Sequence, residues 1–136
     1  MKIRFDHINM TVNDLKESVA WYASVFGMKL VEAGTNGHGP WAIVALEDTM
    51  VCMSEHPDWR GADRQRDGQH QIYHFGVRVS DEKAWVRKLK ELGLKVQYGG
   101  AYDYPGSRSW YILDPTGHEI EVSYSGNRPL EFPAGE

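Results

Sequence analysis

His7-Ile8-Asn9-Met10-Thr11-Val12-Asn13-Asp14 and His74-Phe75-Gly76-Val77-Arg78-Val79-Ser80-Asp81 are near-copies of one stretch, each opening on a histidine, alternating, and ending on a polar residue and an aspartate. The register persists through a helical stretch to Gly27-Met28-Lys29-Leu30 in the first copy and Gly93-Leu94-Lys95-Val96 in the second, with one residue lost on the way. A unit this long that occurs twice does not suit a solenoid and marks two fused half-domains.

In the first copy Ile8, Met10 and Val12 share one face while Phe5, His7, Asn9 and Thr11 share the other, which is the two-residue period of a half-buried strand. In the second, Tyr73, Phe75, Val77 and Val79 oppose His74, Gly76 and Arg78. Asn13 and Asp14 suit a helix N-terminus, and Leu15, Val19, Tyr22 and Phe26 recur at helical spacing until Gly27 ends the run. The matching second helix is expected over 81–92, with Trp85, Leu89 and Leu92 on one stripe. Further strands are expected at 29–33, 41–46 and 50–54 in the first half, and near 95–98, 109–113 and 119–123 in the second. The segment 34–40 reads as turn, 99–106 as an irregular loop, and Asp114-Pro115-Thr116-Gly117 as a tight turn. The fold class is therefore α+β, with two tandem β-α-β-β-β modules forming a curved, cup-like mixed sheet. They make one domain over 1–136: module one about 1–55, a polar linker about 56–71, module two about 72–125 and an irregular tail about 126–136.

The chain has 136 residues, 41% hydrophobic and 25% charged, enough for one ordinary core. A net charge of -4 argues against a surface that tracks phosphates, so nucleic acid is not an expected partner. The single cysteine, Cys52, excludes an internal disulfide framework and suits a reducing compartment. No apolar run approaches a membrane span, and Asp6 falls where a signal peptide needs apolar residues, so the expected location is cytoplasmic.

The alternation also orients three chemically capable side chains alike. His7 and His74 point away from the apolar faces of their strands, and Glu121 shares the side of its strand with Glu119 and Ser123, opposite Ile120 and Val122. Two imidazoles and one carboxylate leave several positions of a metal ion open for substrate, a donor set suited to Fe(II) or Mn(II) and compatible with Zn(II) or Ni(II). Cys52 occupies the place in the first half that Glu121 occupies in the second, and reads as a buried inert thiol, with substrate contact as its other expected role. His38, His56, His70 and His118 read as exposed loop or turn residues, and Trp41, Trp59, Tyr102, Tyr104 and Trp110 as packing residues able to flank an apolar substrate.

From Asp6-His7-Ile8 through Trp21-Tyr22 and Phe26-Gly27-Met28-Lys29-Leu30 to Tyr111-Ile112-Leu113-Asp114-Pro115-Thr116-Gly117-His118-Glu119-Ile120-Glu121, the chain resembles the vicinal oxygen chelate superfamily. That group contains glyoxalases, bleomycin-binding proteins, extradiol dioxygenases and fosfomycin-resistance enzymes, and the likeness is nearest to the fosfomycin-resistance thiol transferases. The resemblance implies metal ligation by His7, His74 and Glu121, a tyrosine near the metal at Tyr111 acting on substrate, and substrate contacts from Ser109 and from Asn9, where that group has threonine. It implies a small oxygen-bearing substrate, a thiol co-substrate, and a homodimer whose sites are shared between protomers. The departures concern the substrate: 99–106 carries no lysine where fosfomycin enzymes have one, leaving Arg108 or Arg128 to clamp an anion. Ring cleavage by an Fe(II) extradiol-type enzyme and metal-free drug binding are the alternative activities within the resemblance.

Overall fold

The computed structural model describes residues 1, 5–59 and 74–126. Its elements run β1 (His7–Val12), α1 (Leu15–Phe26), β2 (Lys29–Asn36), β3 (Gly39–Leu46), β4 (Thr49–Glu55), β5 (His74–Arg78), α2 (Glu82–Glu91), β6 (Tyr102–Tyr104), β7 (Ser107–Leu113) and β8 (Glu119–Tyr124). They form two four-stranded mixed sheets, ordered β1-β4-β3-β2 and β5-β8-β7-β6. Each half thus builds its own sheet by the same route: a strand, a helix, then three strands, the last pairing parallel with the first. The duplication read from the two histidine segments is a duplication of topology.

The helices begin where their aspartates dictate. Asp14 and Asp81 sit in extended backbone just ahead of α1 and α2 and accept hydrogen bonds from the amides of Glu17 and Ala84 at 2.8 and 2.9 Å, satisfying donors that a first helical turn leaves open. Gly27 ends α1 in the left-handed region at φ 70°, where a side chain would be strained. The buried stripe of α1 is Ser18, Tyr22 and Val25, flanked by Leu15, Val19 and Phe26; the apolar spacing locates the helix but not the small serine at the centre of its buried face. This face packs with Val12, Ala42, Val44, Val51 and Met53 in the core of the first unit. In α2 Trp85 and Leu89 are buried, whereas Leu92 falls just beyond the last turn and is exposed.

Three readings of the sequence are corrected. The segment 34–40 is mostly strand, because the turn narrows to Gly37 and His38, and the Asn36 side chain accepts from the His38 amide at 2.8 Å. Gly34 in this hairpin faces Trp41, and a Cβ there would lie 2.8 Å from the indole, so the glycine admits the ring across the strand. The expected strand 95–98 reduces to one bridge between Val96 and Ile112, because Tyr98, Gly99 and Gly100 all turn to positive φ (58°, 81° and 129°). The pairing strand is instead β6, inside the stretch expected to be irregular. Most of the linker, Arg128 and the tail from 127 onward lie outside the described residues, as do His70 and Tyr73.

The chain divides into two compact units, 1–71 with 113–118, and 72–112 with 119–136. The turn between β7 and β8 therefore belongs to the first unit. Buried Asp114 organises it: one carboxylate oxygen accepts from the amides of Thr116, Gly117 and His118 at 3.0, 2.9 and 2.8 Å, and the other accepts from the Tyr22 hydroxyl of α1 at 2.8 Å. Burial, the Asp114 charge and this hydrogen bond all push the Tyr22 phenol far above its ordinary pKa, so it remains a donor. His118, expected to be an exposed turn residue, bonds the Thr11 carbonyl through Nε2 at 2.6 Å and stacks on Trp59 at 5.4 Å. Asp114→Ala strands a buried phenol and three amides and should cost about 3 kcal/mol in urea unfolding, against about 1 kcal/mol for Tyr22→Phe, which removes a single bond.

Candidate functional site

In the second unit the parallel register of β5 and β8 sets His74 opposite Glu119 and Gly76 opposite Glu121. Alternation sends His74, Glu119 and Glu121 to one face and Phe75, Ile120 and Val122 to the other. Apolar burial of Ile120 and Val122, both 0% exposed, therefore fixes the direction of both carboxylates. His74 Nε2 lies 3.0 Å from Glu121 Oε2, while Nδ1, at the other edge of the ring, lies 3.4 Å from Glu119 Oε2.

Ser109, fully buried on β7, donates from Oγ to Glu121 Oε1 at 2.6 Å, which leaves Oε2 toward His74. Tyr111, two residues further on the same strand, meets the His74 ring edge-on at 5.7 Å, and its hydroxyl lies 2.7 Å from that of Tyr104 on β6. Burial raises the Tyr111 phenol well above its ordinary pKa, reinforced by the Tyr104 hydrogen bond and the Glu121 charge. Tyr111 is thus a neutral hydroxyl beside an imidazole and a carboxylate, able to give a hydrogen bond or proton to a substrate oxygen. Tyr98 stands edge-on to Tyr111 at 5.4 Å and donates its hydroxyl to Glu119 Oε1.

The first unit presents a different surface. His7 opens β1 half exposed, with Nδ1 2.6 Å from Asp6 Oδ2. Asn9 pairs in register with Cys52, as Gly76 pairs with Glu121, so the cysteine and the glutamate occupy equivalent positions in the two sheets. Burial and the nearby Asp6 charge raise the Cys52 thiol pKa, which keeps the sulfur protonated and weakly nucleophilic near neutrality. Arg108 is exposed and engaged by two carboxylates: Nε to Asp103 Oδ1 at 2.6 Å and Nη1 to Glu82 Oε1 at 2.9 Å. Those partners hold its Nε and Nη1 rather than leaving a free anion clamp.

The structure thus gathers His74, Glu121, Ser109 and Tyr111 within one unit and leaves His7, Asn9 and Cys52 on the other. Among the described residues no group of three or more His, Cys, Asp or Glu side chains is set to hold a metal ion. The pair formed by His74 and Glu121 nevertheless fits one as a partial site, because an imidazole nitrogen and a carboxylate oxygen converge on adjacent strands and the other edge of the imidazole already faces an acid. Glu119 and Tyr98 were not singled out from the sequence. An acid two residues before Glu121 on an alternating strand was a visible sign for Glu119, whereas nothing local marked Tyr98.

Residues 4–122 match the Glyoxalase/Bleomycin resistance protein/Dioxygenase superfamily, and the chain belongs to that family. A metallothiol transferase FosB of Lysinibacillus sphaericus is 26% identical over 123 residues, covering 85% of this chain and 78% of its own length. Among solved structures, a glyoxylase/bleomycin resistance protein/dioxygenase domain from Frankia sp. aligns with TM-score 0.76 at 18% identity, over 95% of this chain and 96% of that one. A mutant of the fosfomycin resistance protein FosX of Listeria monocytogenes, complexed with Mn(II) and 1S,2S-dihydroxypropylphosphonic acid, aligns with TM-score 0.68 at 20% identity, over 90% of this chain and 92% of that one. No helix among the described residues is long and apolar enough to cross a membrane.

A raised thiol pKa has a direct chemical readout. Cys52 should react with iodoacetamide several-fold more slowly than free cysteine at neutral pH, and its rate should climb only above the usual thiol pKa of about 8.5. Mass-spectrometric rates across pH test this, and alkylation at the free-cysteine rate would contradict it.

Proposed function

We propose that the protein is a divalent-metal-dependent enzyme in which His7, His74 and Glu121 hold one ion and a small oxygen-bearing substrate undergoes thiol or water addition at an activated electrophilic carbon. The observation that carries the reading is the 3.0 Å approach of His74 Nε2 to Glu121 Oε2, with Ser109 fixing the carboxylate from behind. The metal named with FosX and the metallothiol activity named for FosB support divalent metal use and a thiol co-substrate. Mn(II) or Fe(II) suits the mixed nitrogen and oxygen donors best, with Zn(II) and Ni(II) compatible. When bound, the ion would polarise a substrate oxygen as a Lewis acid.

The chain's own groups supply the rest. Ser109 holds Glu121 in one rotamer, sparing the site that ordering cost when substrate arrives. Tyr111, kept neutral, hydrogen-bonds or protonates the oxygen on which charge develops, and Tyr104 stands behind it to share the proton. Asn9 remains a candidate substrate contact, whereas Arg108 contributes less because Asp103 and Glu82 engage it. With no lysine in 99–106, the substrate is an electrophile other than fosfomycin.

We propose, as the family resemblance implies, a homodimer in which His7 of one protomer joins His74 and Glu121 of the other. His7→Ala and Glu121→Ala variants, each inactive, should recover activity when mixed, since the heterodimer rebuilds one complete site; no recovery would overturn the shared arrangement. Metal analysis of protein purified without added ions should find one divalent ion per chain, lost in His74→Ala. With Mn(II), thiol consumption in the presence of an epoxide is expected, and Tyr111→Phe should lower turnover about a hundredfold. Oxygen uptake with Fe(II) and a catechol would instead favour ring cleavage.

A further inference from the structure

Glu119 has no part in the ligand set, yet it is 5% exposed, and a carboxylate so deeply placed is costly unless its oxygens are engaged. One oxygen receives the Tyr98 hydroxyl; the other faces His74 Nδ1 at 3.4 Å. That nitrogen is itself buried and makes no hydrogen bond. Glu119 Oε2 is the acceptor placed to meet it after a small closure of that 3.4 Å gap. Once Nε2 is given to a cation, the ring proton resides on Nδ1 and Glu119 becomes its acceptor. Tyr98 adds an independent observation: it is a non-glycine residue at φ 58°, an uncommon conformation for a bulky side chain, and it keeps its hydroxyl on a buried acid although the residue as a whole is 68% exposed.

We propose that Glu119 and Tyr98 are positioning residues for His74, forming a chain from Tyr98 hydroxyl to Glu119 carboxylate to His74 Nδ1 that turns Nε2 toward the cation. The inference deepens the metal-site reading and rests on it.

The experiment is Mn(II) binding by calorimetry to the full-length protein and its Glu119→Ala, Glu119→Gln and Tyr98→Phe variants, with imidazole 15N spectra of each in metal-free and Zn(II)-loaded forms. Affinity should fall tenfold to a hundredfold in Glu119→Ala, less in Glu119→Gln, which keeps an acceptor oxygen, and least in Tyr98→Phe. In loaded wild-type protein the His74 proton should lie on Nδ1 with a hydrogen-bonded shift that Glu119→Ala abolishes. Unchanged affinity together with an unchanged Nδ1 resonance would overturn the proposal. If wild-type protein takes up no divalent metal, the metal-site reading fails. The positioning role falls with it, whereas metal uptake with an Nδ1 resonance unmoved by Glu119→Ala overturns the positioning role alone. Should Glu119→Ala fail to fold, the Gln and Phe variants carry the same comparison.

Discussion

The alternation of Glu119, Ile120, Glu121 and Val122 across β8 is the constraint on which the site depends. Two side chains of this tetrad are fully buried in the core and two carboxylates are delivered to the opposite face beside His74. A slip of one residue would exchange the sets, turning both acids toward the face that now buries Ile120 and Val122. The hydrophobic term thus aims both carboxylates, since two buried aliphatic chains outweigh any preference the acids express. The Asp114 turn protects that register, because its carboxylate fixes where β8 begins.

The two halves share topology but not electrostatics. At equivalent register positions the first sheet carries Cys52 and the second Glu121, and Met50 stands where the second sheet has Glu119. The first half carries its histidine on an exposed strand start, and the second carries the acids, the serine and the tyrosines. The scaffold occurs twice, and His74, Ser109, Tyr111 and Glu121 all stand in the second copy. Membership of the glyoxalase/bleomycin resistance/dioxygenase superfamily fits this doubled scaffold, and the low identity to FosB leaves the substrate to be set by the loops.

The modules, both helix starts and the direction of His74 and Glu121 were legible because they rest on local signals: period two in strands, spacing of three or four in helices, and an aspartate ahead of each. The strand at Tyr102–Tyr104 was not, since three exposed residues among glycines carry no burial pattern to reveal pairing with Ser107–Leu113. The apparent strand at 95–98 failed for the complementary reason, its alternation being interrupted by left-handed backbone at Tyr98. His118 on Trp59 and Tyr22 on Asp114 were equally hidden, because contacts spanning 59 and 92 residues leave no trace in spacing.

The location of the 113–118 turn in the first unit bears on how the chain is made. During synthesis Tyr22 emerges first, and the acid that accepts from this phenol arrives 92 residues later. Final consolidation of the early half therefore waits on the late one, and scission near residue 72 would separate a phenol from its acceptor rather than yield two self-sufficient pieces.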